Sequence, residues 1–214
     1  LKANLSPQIS GWLLTLGLLL AGSGGAFAPW VWREPAVLQL TAPGLAEFVK
    51  FLPESRTGQV QFERLYFLLP LFVAMLALPL LAENRRLALP RWWRWPLRLA
   101  VLPLALAALS PVWTPAILKA PEFRLQTGLA LAAVGLAVIA PLLRGLPIRW
   151  LAGLLAVAAV VAIALPFWQF ILANPGLEQA YHETIRFGWG WWLTVAGMEL
   201  SLVGGIWAAL KLKN

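Results

Sequence analysis

Six stretches of this chain are long and apolar enough to cross a bilayer, and that property decides its solvent. A helix needs about 20 apolar residues to span the hydrocarbon, and windows at 11–32, 64–82, 97–118, 125–143, 150–171 and 187–210 reach that length. Of the 214 residues, 60% are hydrophobic and 12% are charged, with a mean hydropathy of +0.75. A soluble domain carries about 25% charged residues, and an aqueous core could not enclose so much apolar surface in a chain this size. The expected fold is all-α: one transmembrane domain over 1–214, with six helices in a single bundle. Pro70, Pro79, Pro103 and Pro166 fall inside the windows, as kinks whose freed carbonyls neighbouring helices can satisfy.

The charges orient the bundle. The N-terminus, the 83–98 and 144–149 connections and the C-terminus carry ten Lys or Arg against Glu83 alone. The other connections carry seven basic residues against seven glutamates. Excess Lys and Arg mark the cytoplasmic side, so both termini are expected there, in a plasma or inner membrane. Tryptophans cluster toward the span ends on both sides, where indoles settle at the headgroup boundary. The interleaved arginines and indoles of ENRRLALPRWWRWPLR suit anionic headgroups, which attract each guanidinium by about 1 kcal/mol. Lys2 and the Ala26-Phe27-Ala28 run resemble a signal peptide, but Pro29 directly after it disfavours cleavage, so a retained helix is expected.

The residue inventory excludes much chemistry. The chain has no Cys, no Asp and one His, which removes disulfides, most metal sites and most catalytic triads. No metal and no cofactor are expected. A net charge of +8 points to nucleic acid only when it forms a face of a soluble fold; here the bases lie at membrane edges, and nucleic acid is excluded. Near the last span, Glu178, His182 and Arg186 would share a face if NPGLEQAYHETIR were helical. That set is an ion-pair ladder rather than a metal site, which wants three or four good ligands. In the longest connection, Thr41 as N-cap, Pro43 in the first turn and Leu45, Phe48, Val49 and Leu52 at helical spacing predict a short amphipathic helix over 43–52. Leu45, Phe48 and Leu52 are its candidate lid or docking residues.

In lipid, helices associate through small residues that let backbones approach. The first span offers Gly17, Ala21 and Gly25, and the last offers Gly190, Thr194, Gly197, Ser201, Gly205 and Ala209. Glu199 lies on the opposite side of the last span, near Trp192, and no Lys or Arg falls inside another span to meet it. A charged acid at mid-bilayer costs at least about 2.5–3.5 kcal/mol. Three roles are open: a neutral hydrogen-bonded side chain, a wall of a hydrated cavity, or a contact with another subunit. Glu199 and Trp192 are the candidate binding or ion-coupling residues.

The leading functional expectation is a transporter, or the membrane component of one, with the 43–52 helix over an outward cavity and Glu199 as an ion or substrate contact. Six helices with both ends inside and small-residue stripes for docking are similar to the substrate-binding membrane components of energy-coupling-factor importers, a fold-level analogy. No GxxxxGK[ST] loop is present, so ATP-driven work needs a separate subunit. The alternative is a non-catalytic structural or assembly subunit of a larger membrane complex, with membrane or cytoplasmic partners. A second alternative is an intramembrane enzyme: six helices, Trp32-Arg33 and the GSGG run at 22–25 resemble rhomboid proteases. However, that family's serine sits on its fourth core helix, where this chain has none, and Ser23 and His182 do not match its pattern.

Overall fold

The computed structural model describes residues 5–32 and 39–212; Lys2, Arg33, Glu34 and Lys213 of the charge count lie outside them. The described residues form helices, without strands, joined by short turns and two isolated bridges at Val31. The helices are α1 (Leu5–Phe27), α2 (Ala42–Phe48), α3 (Pro53–Arg56), α4 (Leu69–Glu83), α5 (Arg91–Leu99), α6 (Val101–Ala108), α7 (Pro115–Lys119), α8 (Pro121–Ile139), α9 (Ile148–Tyr181) and α10 (Trp189–Lys211). Five helical stretches are long and apolar enough to cross a membrane: Pro7–Phe27, Arg64–Glu83, Pro121–Leu143, Ile148–Tyr181 and Trp189–Lys211. The chain is an all-α integral membrane protein.

The third expected span, 97–118, is not one helix. Pro103 has no N–H to offer the Leu99 carbonyl, and the helix turns at Ala100 between α5 and α6. Pro111 cannot bond back to the chain and biases Ser110 toward extended geometry, so α6 stops at Ala108 with Leu109 extended. The broken segment still runs alongside α8. At its start Arg98 Nε donates to the Ala137 carbonyl late in α8 at 2.7 Å; at its finish the Ala108 carbonyl accepts from Gln126 Nε2 early in α8.

α1 and α10 form the axis of the fold and pack antiparallel along their length. A Cβ on Gly17 would lie 2.6 Å from the Gly197 carbonyl oxygen, and one on Gly197 would lie 2.5 Å from that of Gly17. Thr194 Oγ1 donates to Gly190 O at 2.8 Å and reaches Ala21 O of α1 at 3.5 Å, and Ser201 Oγ donates to Gly197 O at 3.0 Å and reaches Leu14 O of α1 at 3.4 Å, so the two seam hydroxyls bond their own helix and the facing one. The small-residue stripes therefore meet in their middle as spaced and shift at both ends: Gly24 rather than Gly25 packs closely on Thr194, Gly25 faces Leu71 of α4, and Gly204 rather than Gly205 meets α1. Gly205 turns to the other neighbour, against Ala152 and Ala156 of α9.

α9 is 34 residues long, about 51 Å at 1.5 Å per residue, against a hydrocarbon of about 30 Å. It runs on through Pro175, past the expected limit at 171, and ends at Tyr181, capped by His182, whose φ of 55° is left-handed. The antiparallel pairing puts the start of α1 and the end of α10 together, with the ends of α4 and α8 and the start of α9. This is the basic end; Trp12, Trp92 and Trp93 cluster there with centroids 5.2–6.5 Å apart. At the far end Trp30 and Trp191 meet edge to face at 4.9 Å.

Candidate functional site

Three arrangements of polar residues stand out, and two of them link helices distant in sequence. At the far end, Arg64 enters α4 through a 3-10 turn and is only 8% exposed. Its Nη1 donates to Glu47 at 2.6 Å; its Nη2 donates to Gln126 Oε1 at 2.7 Å and to the Glu122 carbonyl at 2.9 Å. The guanidinium lies over the Phe123 ring, 4.3 Å from its centroid. Lys50 closes the network at 2.6 Å from Glu47 and 2.7 Å from Glu122. Burial disfavours the Lys50 ammonium, but its hydrogen bonds to Glu122 and Glu47 and their charges outweigh that and hold it above the usual 10.5. Two cations face two carboxylates, so the network is neutral and joins α2, α4 and α8.

This network positions α2. Thr41 Oγ1 caps the helix, accepting from Gly44 N at 3.3 Å, and Leu45, Val49 and Leu52 are fully buried. The α-helix ends at Phe48 and a 3-10 turn carries Val49–Phe51. Phe48 stacks on Tyr181 with centroids 5.7 Å apart. Leu45 and Leu52 are thus core residues, and Phe48 packs on the end of α9. Beside α2 an open cleft of about 390 Å³ is bounded by Glu47, Leu106, Ser110, Trp113 and Gln126. Arg64→Met is expected to cost about 2 kcal/mol, less than the usual penalty for a broken buried pair because Lys50 still holds Glu47. Trypsin should then cut faster at Lys50 and Arg56, and an unchanged cleavage rate would deny the network that role.

At the basic end, Glu83 is 3% exposed at the close of α4. Arg144 Nε donates to it at 2.8 Å, while Arg98 and Arg94 approach to 3.5 and 3.9 Å. The adjacent Asn84 donates to the Leu146 carbonyl at 3.1 Å. Neither hub was anticipated from the sequence, where Arg64 and Glu83 entered only as loop charges. A signal existed for the second: Glu83 is the single acid among ten bases on its side. Nothing comparable marked Arg64, whose partners lie 17 and 62 residues away.

The third arrangement is on the perimeter. Glu199 is exposed on the outer surface of α10, among exposed Trp192, Val203 and Ile206. Among the described residues no cation pairs with it. Trp192 is seven residues away, about 10 Å along the axis, in an open aromatic groove of about 580 Å³ with Phe167, Phe170, Phe187, Asn174 and Arg186. Trp192 and Glu199 therefore do not form one site, whereas Trp192 and Arg186, read separately in the sequence, share a groove.

The expected face of Glu178, His182 and Arg186 does not form. The helix ends at Tyr181, so Arg186 lies in the following extended stretch. Glu178 instead staples that stretch, accepting from Asn174 Nδ2 at 3.1 Å and from the Ile185 amide at 3.2 Å. His182 and Arg186 are exposed. The proline-containing NPGLEQAY run holds its helix by packing: Ala173, Gly176 and Leu177 are buried. No protein-family model, curated protein or solved structure matches the chain.

Proposed function

We propose that this protein is a non-catalytic membrane subunit that joins a second membrane polypeptide into a larger assembly. The observation supporting this reading is Glu199, an acid on the outside of a membrane-crossing helix, with no cation beside it among the described residues. Lipid is a poor neighbour for that group, and a partner chain is a good one. The interior agrees with a scaffold: glycine-on-backbone contact fills the α1–α10 axis. The strongly basic end is read as cytoplasmic under the positive-inside bias, with both termini there and anionic headgroups against its arginines. Extraction of native membranes in a mild detergent, followed by native mass spectrometry, is expected to find the chain with another membrane polypeptide at fixed stoichiometry. Recovery of the chain alone, with lipid as its only companion, would sink the reading.

A second reading, a membrane component that captures or moves a small molecule, draws on one specific observation. The helix break at 109–114 borders the cleft beside α2, and irregular backbone at membrane depth is tolerated where it lines a cavity. The cleft offers Gln126, Ser110 and Glu47 as polar contacts. Uptake in proteoliposomes that Ser110→Ala alters without a change in Tm would favour this reading; indifference to the substitution would remove it.

A further inference from the structure

We infer that the outer face of α10 is a helix-docking seam, and that its occupant is a transmembrane helix of a different protein carrying a lysine or arginine at the depth of Glu199. The inference rests on the subunit reading and names the surface and the partner's chemistry.

Trp192, Ala196, Glu199, Val203, Ile206 and Leu210 are all exposed and follow one another at intervals of four, three, four, three and four residues. That spacing is the a/d seam of two helices crossing at a shallow angle. A lipid-facing stripe would show the same period, so periodicity alone does not identify an occupant. Glu199 does. It is the eleventh of the 23 residues of α10, so it sits near mid-depth, where an unpaired carboxylate is least tolerated. In a helix pair, one polar group at a seam position fixes register and partner choice at a cost in stability. Toward the basic end, Val203, Ile206, Leu210 and Trp207 line a groove of about 320 Å³, able to take the side chains of an adjacent helix.

The occupant's charge follows from complementarity, and the same argument disfavours a second copy. A two-fold axis along the membrane normal would lay α10 beside α10 at equal depth, with Glu199 opposite Glu199. Nor, among the described residues, does another face of a copy supply the cation. Arg64, Arg98, Arg124, Arg149 and Lys211 all lie near the ends of the bundle.

The test uses synthetic probes in phosphatidylcholine vesicles. The chain contains no cysteine, so Thr57→Cys at an exposed turn takes a single donor dye. Acceptor-labelled 23-residue Leu–Ala helices carry Lys, Leu or Glu at their centre, and energy transfer reports association. The Lys helix is expected to bind about tenfold more tightly than the Leu helix, the scale of one interhelical polar contact in lipid. That preference should vanish in Glu199→Leu and shrink in Glu199→Gln, which keeps the shape and supplies a readout if the leucine variant folds poorly. Equal binding of Lys and Leu helices, or a Lys preference that survives both substitutions, would overturn the proposal. So would transfer between two labelled populations of the protein itself that is lost in Glu199→Leu, which would make the seam a homodimer contact. A native complex that persists unchanged in Glu199→Leu would sink the seam and leave the subunit reading standing.

Discussion

Glu83→Ala is expected to lower stability by about 3 kcal/mol, through the arginines it leaves behind rather than through lost packing. Glu83 is 3% exposed and faces Arg144, Arg98 and Arg94. Deleting one partner of a buried charge group costs about 3–5 kcal/mol because the remaining charge stays desolvated. The low end applies here, since Arg144 is 39% exposed and can turn to water, while Arg98 keeps the Ala137 carbonyl. Arg94, 24% exposed, loses most. Glu83→Gln should fall between, retaining a carbonyl acceptor for Arg144 without the charge. Thermal unfolding of the purified protein in detergent, followed by tryptophan fluorescence, reads the change; a Tm equal to wild type in Glu83→Ala would show that the arginines are solvated without it.

The second large effect is at the α1–α10 crossing. Gly197→Leu must push two helices apart, because the atoms its side chain meets are backbone: Gly17 O, and the N and Cα of Ala21. Backbone cannot turn aside as a flexible side chain does. Overpacking a well-filled core typically costs about 1–3 kcal/mol; a branched side chain against main chain exceeds that range, and loss of folded protein is the expected result. Even Gly197→Ala should lower the Tm. The control is Gly128 in α8, where an added Cβ meets nothing within 4 Å; Gly128→Ala should leave the Tm unchanged or raise it, since Ala favours helix over Gly. Equal Tm values for the two alanine variants would refute close packing as the basis of the axis.

The axis was legible in the sequence for a physical reason. Helix contact in lipid selects small residues at intervals of three and four, and the stripes of Gly17 and Gly197 carry that pattern. Glu199 opposite the stripe on α10 likewise follows from 100° per residue. What covers that side does not, because a helix face does not specify its neighbour. The break in the third span escaped because summed hydropathy is blind to hydrogen bonds. LRLAVLPLALAALSPVW is apolar apart from Arg98 and Ser110, yet Pro103 and Pro111 withdraw donors at two points. The hubs at Arg64 and Glu83 escaped because charge counts treat residues as independent, whereas their meaning lies in partners many residues away. Whether NPGLEQAYHETIR is helical stays open in the sequence, because burial decides it: buried neighbours keep the helix as far as Tyr181.

The bonds of α8 carry one more consequence. Only 22% of its membrane window is buried, against 61% for that of α1, and its Gly128 and Gly135 face open space. Gln126 fixes it near one end, through Arg64 and the Ala108 carbonyl, and the Ala137 carbonyl fixes it near the other through Arg98. These points are eleven residues apart, about 16 Å. Glu122 adds to the first through Arg64 and Lys50, so α8 is pinned by polar bonds near both ends while most of its flank stays open. It cannot slide by a turn without losing both, so polar bonds near its ends set the position of α8 along the bundle, where glycine packing sets that of α1.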